Sequence, residues 1–350
     1  MQIQEFLKLA VEKNASDLHL TAGFLPALRI RGELFFLEDF PSLKNEDTRE
    51  LAFSMITPKQ KEKFEKEFEL DFSYSLEGLG RFRVNFYLQK DGVGIAIRVI
   101  PSKIPTPEEI GLPSEVINLT NLRNGLILVT GVTGSGKSTT LAALINKINE
   151  EKPCHILTVE DPIEFIYPHK KAIINQREVG SNTKSFASAL KYALREDPDI
   201  ALVGEMRDLE TISAALTIAE TGHLVFTTLH TLDAAQSIDR IINVFPSHQQ
   251  QEIRTVLGGV LRAVICQQLL LRKDGKGRIA AREILFNTYA IANLIREGKI
   301  PQMYSAIQTG RSLGMMTMDS DVVRLFREGV ISRDIAEKAV TNPKELDSPY

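Results

Sequence analysis

Cysteine is scarce in these 350 residues: Cys154 and Cys266 are the only two. Two thiols cannot build a disulfide framework or a four-thiolate zinc site, and the reducing cytosol is the expected compartment. Long apolar runs are missing as well. No stretch approaches the ~20 residues of a membrane span, and Glu5, Lys8, Glu12 and Lys13 interrupt the opening segment, which does not read as a signal peptide. Membrane association is therefore expected only through a partner. Nor is there an excess of positive charge: a net charge of −3 and a pI near 6.1 lack the footprint of a nucleic-acid-binding protein. What remains, 43% hydrophobic and 25% charged residues, is ordinary for a soluble globular chain long enough for two cores.

The opening residues place Ile3, Phe6, Leu7, Ala10 and Val11 on one helical face. A strand-like segment, Ala27 to Arg31, is closed by Gly32, and residues 45–69 are charged and helical in character, with Thr57-Pro58 as cap and first turn. Strict alternation marks a hairpin from Arg81 to Ile100 about Asp91-Gly92. An Asp-Gly turn would pair Lys90 with Val93 and Asn85 with Arg98. Four prolines between Pro101 and Pro113 form a semi-rigid linker. The expected division is thus an N-terminal domain over 1–100, a linker over 101–113 and a second domain over 114–350. Beyond the linker, apolar strands at 125–130, 154–159, 200–203 and 224–229 alternate with helices, the α/β pattern of a mostly parallel sheet. From about residue 247 the chain reads as helical, with a hairpin about Asp274-Gly275.

Gly131-Val-Thr-Gly-Ser-Gly-Lys-Ser138 fits the phosphate-binding P-loop without mismatch, between a strand and a helix. Glycines let the backbone close around phosphate, and backbone N–H groups with the helix N-terminus supply positive potential. The candidate nucleotide-binding residues are Gly131, Thr133, Gly134, Ser135, Gly136, Lys137, Ser138 and Thr139. Lys137 would reach the β- and γ-phosphates of ATP, and the Ser138 hydroxyl would ligate Mg²⁺.

Ligands of an open parallel sheet sit at the carboxyl ends of its strands. One strand delivers Glu160, Asp161 and Glu164 around Pro162, a second ends in Gly204-Glu205, and a third is flanked by His223 and His230. An NTPase needs one carboxylate to hold Mg²⁺ and another to orient or deprotonate the attacking water. Glu205 is the first candidate for the water, and Glu160 and Glu164 for Mg²⁺ and water positioning. A histidine such as His230 suits γ-phosphate contact. In the N-terminal hairpin, alternation puts Arg81, Arg83 and Arg98 opposite Phe82, Val84 and Phe86. Such a face is either solvated or aimed at the phosphates of ATP, within the chain or across a subunit boundary.

These motifs resemble those of the secretion ATPases of type II and type IV pilus systems. The resemblance spans nearly the whole chain: Asn14-Ala-Ser-Asp17-Leu-His19, the P-loop, an acidic box at Thr158–Glu164, a Walker B segment Val203–Asp208 and a histidine box Thr221–His230. It is nearest to the pilus-retraction branch, because a Cys-x-x-Cys zinc element and a long N-terminal extension are not seen. Ala290–Glu297 with Gln302–Gly310 resembles that branch's C-terminal segment, departing at Ala292, where arginine is expected. The resemblance implies a PAS-like α+β N-terminal domain, a RecA-like P-loop ATPase domain and a homohexamer with N-terminal arginines completing each site. It also implies work on the cytoplasmic side of the inner-membrane pilus platform protein, acting on pilin indirectly. The competing expectations are a secretion or DNA-transfer ATPase of the same superfamily and a RecA-type nucleic-acid translocase. The acidic pI disfavours the translocase.

Overall fold

The computed structural model describes residues 1–30, 32–101 and 103–347. Arg31, the last residue of the strand expected from Ala27, Ser102 within the proline-rich stretch, and residues 348–350 lie outside the described residues. The chain forms two compact units: Met1–Lys103 with Glu164–Ile166, and Ile104–Ile163 with Tyr167–Tyr350.

The first unit runs α1 (Ile3–Glu12), β1 (Asp17–Leu20), β2 (Ala27–Ile30), β3 (Glu33–Phe36), α2 (Asn45–Phe53), α3 (Pro58–Glu67), β4 (Glu69–Leu76), β5 (Gly80–Gln89) and β6 (Gly92–Ile100). Its six strands form an antiparallel sheet in the order β3-β2-β1-β6-β5-β4. The apolar stripe of α1 is buried through Ile3, Phe6, Leu7 and Ala10. Thr57 caps α3 by accepting from the Gln60 N–H, with Pro58 in the first turn where a missing N–H costs nothing. Phe82, Val84 and Phe86 of β5 meet Ile95 and Ile97 of β6 in the core, and the Phe86 ring lies 5.0 Å from that of Phe72 in an edge-on contact.

The hairpin register differs from the one expected. Gln89 pairs with Gly92, Asn85 with Ala96 and Arg83 with Arg98, so Lys90-Asp91 forms the turn and Gly92 opens β6. Glycine is needed there for another reason than the turn. Its φ is +135°, and a Cβ would fall 2.0 Å from the Asn45 side-chain oxygen. The slip is by two residues, an even number, so every side chain keeps its face.

The second unit runs α4 (Ser114–Ile117), β7 (Gly125–Thr130), α5 (Lys137–Glu151), β8 (His155–Glu160), β9 (Ile173–Glu178), α6 (Phe186–Ala193) and β10 (Ile200–Val203). It continues with α7 (Leu209–Glu220), β11 (Leu224–Leu229), α8 (Ala234–Asn243), α9 (Gln250–Val260), β12 (Leu261–Leu271), β13 (Arg278–Phe286), α10 (Tyr289–Arg296), α11 (Met303–Thr309), α12 (Met318–Arg327) and α13 (Arg333–Ala339). The sheet order is β13-β12-β7-β11-β10-β8-β9, parallel except for β13. Every residue of β7, β10 and β11 is buried, as helix-covered parallel strands require.

The helical reading beyond residue 247 fails over 261–286. That stretch is a long hairpin, turned near Asp274-Gly275, which adds β12 and β13 to the sheet beside β7. A largely apolar run such as Leu261–Leu271, interrupted only by Arg262 and the Gln267-Gln268 pair, fits a buried helix or an interior strand equally well by periodicity. On β13 the buried Arg282 donates to the carbonyls of Ile110 and Gly111, each at 2.7 Å, while its N–H donates to the Asp321 carboxylate. Ala292 is buried in α10 against α9, where the Gly258 backbone closes on its carbonyl.

Candidate active site

The loop after β7 is shaped by its glycines. Gly131 has φ +138°, and a Cβ there would lie 2.3 Å from the Gln267 carbonyl of β12. Gly134 and Gly136 take φ +80° and +89°, a region costly to other residues, and Gly136 is the N-cap of α5. The Lys137 side chain is buried and folds back over the loop, its Nζ donating to the carbonyls of Gly131 (2.8 Å) and Val132 (3.0 Å). Burial lowers its pKa. The Ser135 hydroxyl is buried and has no hydrogen-bond partner among the described residues. Thr133, Gly134 and Ser138 are exposed, with Thr139 half-buried beside them. A concave loop holding an ammonium, an orphan hydroxyl and the uncommitted first N–H groups of α5 fits a phosphate chain.

The parallel register brings the other strand ends to the same edge. Thr130 is level with Leu229, so His230 leaves β11 beside Gly131, and Val203 is level with Thr227 and Val159. Glu160 closes β8 and is buried; it accepts from the Thr158 hydroxyl (2.7 Å) and the Gln176 amide (3.3 Å). Glu205 follows β10 and meets both the His230 imidazole, at 3.2 Å from Nε2, and the Arg207 guanidinium. Burial lowers the His230 pKa, and the charges of Lys137 and Arg207 lower it further, so the imidazole is neutral at neutral pH and feels the P-loop ammonium.

Glycine before Glu205 has a packing cause. A Cβ at Gly204 would stand 3.3 Å from the Glu160 Cα and the Val159 carbonyl. The Gly204 N–H donates to Val159 at 2.8 Å, and its carbonyl accepts from Thr228 at 2.6 Å. Gly204 thus lets the ends of β8 and β10, and with them Glu160 and Glu205, approach closely.

Lys137, Glu160, Glu205 and His230 therefore share one sheet edge. His223 does not: it sits at the amino end of β11, where its ring bonds Ile218 and Thr221. Glu164 is exposed and groups with the N-terminal unit, which also carries the three arginines. There Arg83 and Arg98 are directly opposed on β5 and β6, with Arg81 two residues along the same face. Asp17 of β1 relieves their repulsion, its carboxylate 2.9 Å from Arg98 Nε. Sequence reasoning missed Asp17's part in this face, Arg207 beside Glu205, and Gln267. The one sequence signal for Gln267 is an amide pair inside an apolar strand.

Residues 94–340 match the protein family described as type II/IV secretion system protein. The chain belongs to this family. Among curated members, the type IV pilus retraction ATPase PilT of Pseudomonas aeruginosa is 50% identical over 346 residues, covering 99% of this chain and 100% of that one. The twitching motility protein of Neisseria gonorrhoeae is 47% identical over 321 residues, 92% of this chain and 86% of that one. Among solved structures, the pilus retraction motor PilT with bound ADP superposes with a TM-score of 0.93 at 50% identity, covering 99% of each chain. The chain accordingly has a PAS-like N-terminal fold and a RecA-like ATPase fold, uses nucleotide and is an ATPase.

Proposed function

We propose that this ATPase hydrolyses ATP to drive retraction of a type IV pilus. The observation that carries the reading is the convergence of Lys137, Glu205 and His230 on one sheet edge in a chain similar from end to end to a pilus retraction ATPase. Lys137 leaves its carbonyl perches for the β- and γ-phosphates, and backbone N–H groups from Gly134 to Thr139 line the phosphate chain. Ser138, through its hydroxyl, and Glu160 and Glu164, partly through water, would hold Mg²⁺, which would supply neutralisation of phosphate charge. Glu205 takes the proton of the attacking water, and the neutral His230 holds that carboxylate in place. Arg81, Arg83 and Arg98 contact phosphate charge from the N-terminal unit of the same chain or of a neighbour in a homohexamer. The ring works at the inner face of the inner membrane, on a pilus platform protein, so that pilins leave the fibre base. Among the described residues no helix is long and apolar enough to cross a membrane, so anchoring by a partner suits this placement.

The test pairs ATPase rate with twitching. Lys137→Ala should weaken ATP binding, and ATPase activity of the purified protein should respond to added platform protein. ATP affinity unchanged by Lys137→Ala would overturn the phosphate-loop assignment. Normal twitching in cells carrying that variant alone would overturn the retraction role.

A further inference from the structure

Gln267 stands in the middle of β12 and is almost fully buried, an unusual place for an amide. Both ends of that amide are used. Nε2 donates to the Ser135 carbonyl at 2.7 Å, and Oε1 accepts from the Thr140 hydroxyl at 3.0 Å. Ser135 lies inside the phosphate loop, and Thr140 lies one turn into α5. The backbone carbonyl of Gln267 closes against Gly131 at the start of the loop. One residue of a neighbouring strand thus touches the beginning, the middle and the helical end of the loop.

In a trans peptide the carbonyl and the following N–H point in opposite directions. Drawing the Ser135 carbonyl back toward β12 therefore turns the Gly136 N–H outward, toward the concave side where phosphate is expected. Gly136 itself restrains this plane little, being conformationally permissive, with φ +89° and no side chain. We propose that Gln267 is a positioning residue for nucleotide binding, holding the Ser135–Gly136 peptide so that its N–H faces the phosphate chain. The Ser135 carbonyl, which can only accept, sets which way round the Gln267 amide lies, and the Thr140 hydroxyl then donates to the Oε1 on the other side and steadies the side chain. The inference rests on reading residues 131–138 as the phosphate loop.

The experiment measures ADP affinity of the full chain by titration with a fluorescent ADP analogue, independently of turnover. Gln267→Met, which keeps the shape and loses both polar ends, should weaken binding about tenfold, equivalent to about 1.4 kcal/mol. Gln267→Glu sets a carboxylate against the Ser135 carbonyl, and its affinity should recover as pH falls, because the protonated carboxyl regains a donor. Thr140→Val should act in the same direction more weakly, Thr140→Ser should restore binding, and the Met and Val changes together should be less than additive. Wild-type affinity in folded Gln267→Met, or a pH-independent Gln267→Glu, would overturn the proposal. If Gln267→Met does not fold, equal affinity of Thr140→Val and Thr140→Ser overturns it instead. Lys137→Ala is the control: if it too binds ADP normally, the loop assignment itself has failed.

Discussion

The two sheets of this protein carry their chemistry in different places. In the second unit, β7, β10 and β11 are buried on both faces and carry no polar side chains other than Thr130, Thr227 and Thr228 near their carboxyl ends, so function is confined to the strand ends. In the first unit, β5 alternates between core and surface: Phe82, Val84 and Phe86 inward, Arg81 and Arg83 on the other side. Its charge is displayed across a face. A parallel sheet concentrates a few groups at one edge, whereas an antiparallel sheet with one free face spreads like charges over a surface. The first arrangement suits bond-breaking within an enclosed loop, and the second suits electrostatic contact with an anion brought to it.

If edge and face divide the work in this way, the largest effect should come from the edge. Glu205→Gln should cut ATP turnover on the order of 10²–10⁴-fold while leaving nucleotide affinity nearly intact; near-normal turnover would remove Glu205 from the chemistry. The strands behind that edge should matter only for stability. Phe226→Ala in the middle of β11, a fully buried position, should cost about 3–5 kcal/mol in denaturant unfolding. Replacing a face residue should do the reverse. Arg83→Ala should shift stability by no more than about 0.5 kcal/mol, yet lower turnover by tenfold or more, on the order expected when an arginine acts on phosphate. Lysine there should rescue only partly, since it lacks the planar fork. Wild-type rates in alanine variants at Arg81, Arg83 and Arg98 alike would show the face to be merely solvated.

The smallest effect concerns His230. Its folded-state pKa lies below the ordinary 6.5, chiefly through burial and then through Lys137 and Arg207. The unfolded chain therefore binds this proton more readily, and the group's stabilising contribution is present above the ordinary value and lost as pH falls below it. Imidazole NMR titration should give a midpoint under 6.5, moving upward in Lys137→Ala. A midpoint unmoved by that change would separate the imidazole from the loop ammonium.

The edge was the legible part of the sequence. Its strands are short apolar runs ended by Gly131, Glu160, Gly204 and His230, and a parallel sheet leaves no choice about where such ends gather. The arginine face survived a wrong hairpin register because the slip was even. Less legible were features set by distant partners. Gly92 looked like a turn residue, but its conformation and the nearby Asn45 determine its place. Leu261–Leu271 became a strand because β7 offers a free edge to it, which periodicity does not encode. Gln267 reaches a carbonyl 132 positions earlier in the chain, beyond any local pattern.

Gln267 and Arg282 face each other as one rung of the β12–β13 ladder. From that rung, one side chain grips Ser135 of the phosphate loop and the other grips Ile110 and Gly111, where the proline-rich stretch joins the second unit. Adjacent strands are only about 4.8 Å apart. In engineering terms, the rung is a crossbar, with the candidate phosphate loop fastened to one member and Ile110 and Gly111 to the other. The loop and that end of the stretch thus share one support within the sheet.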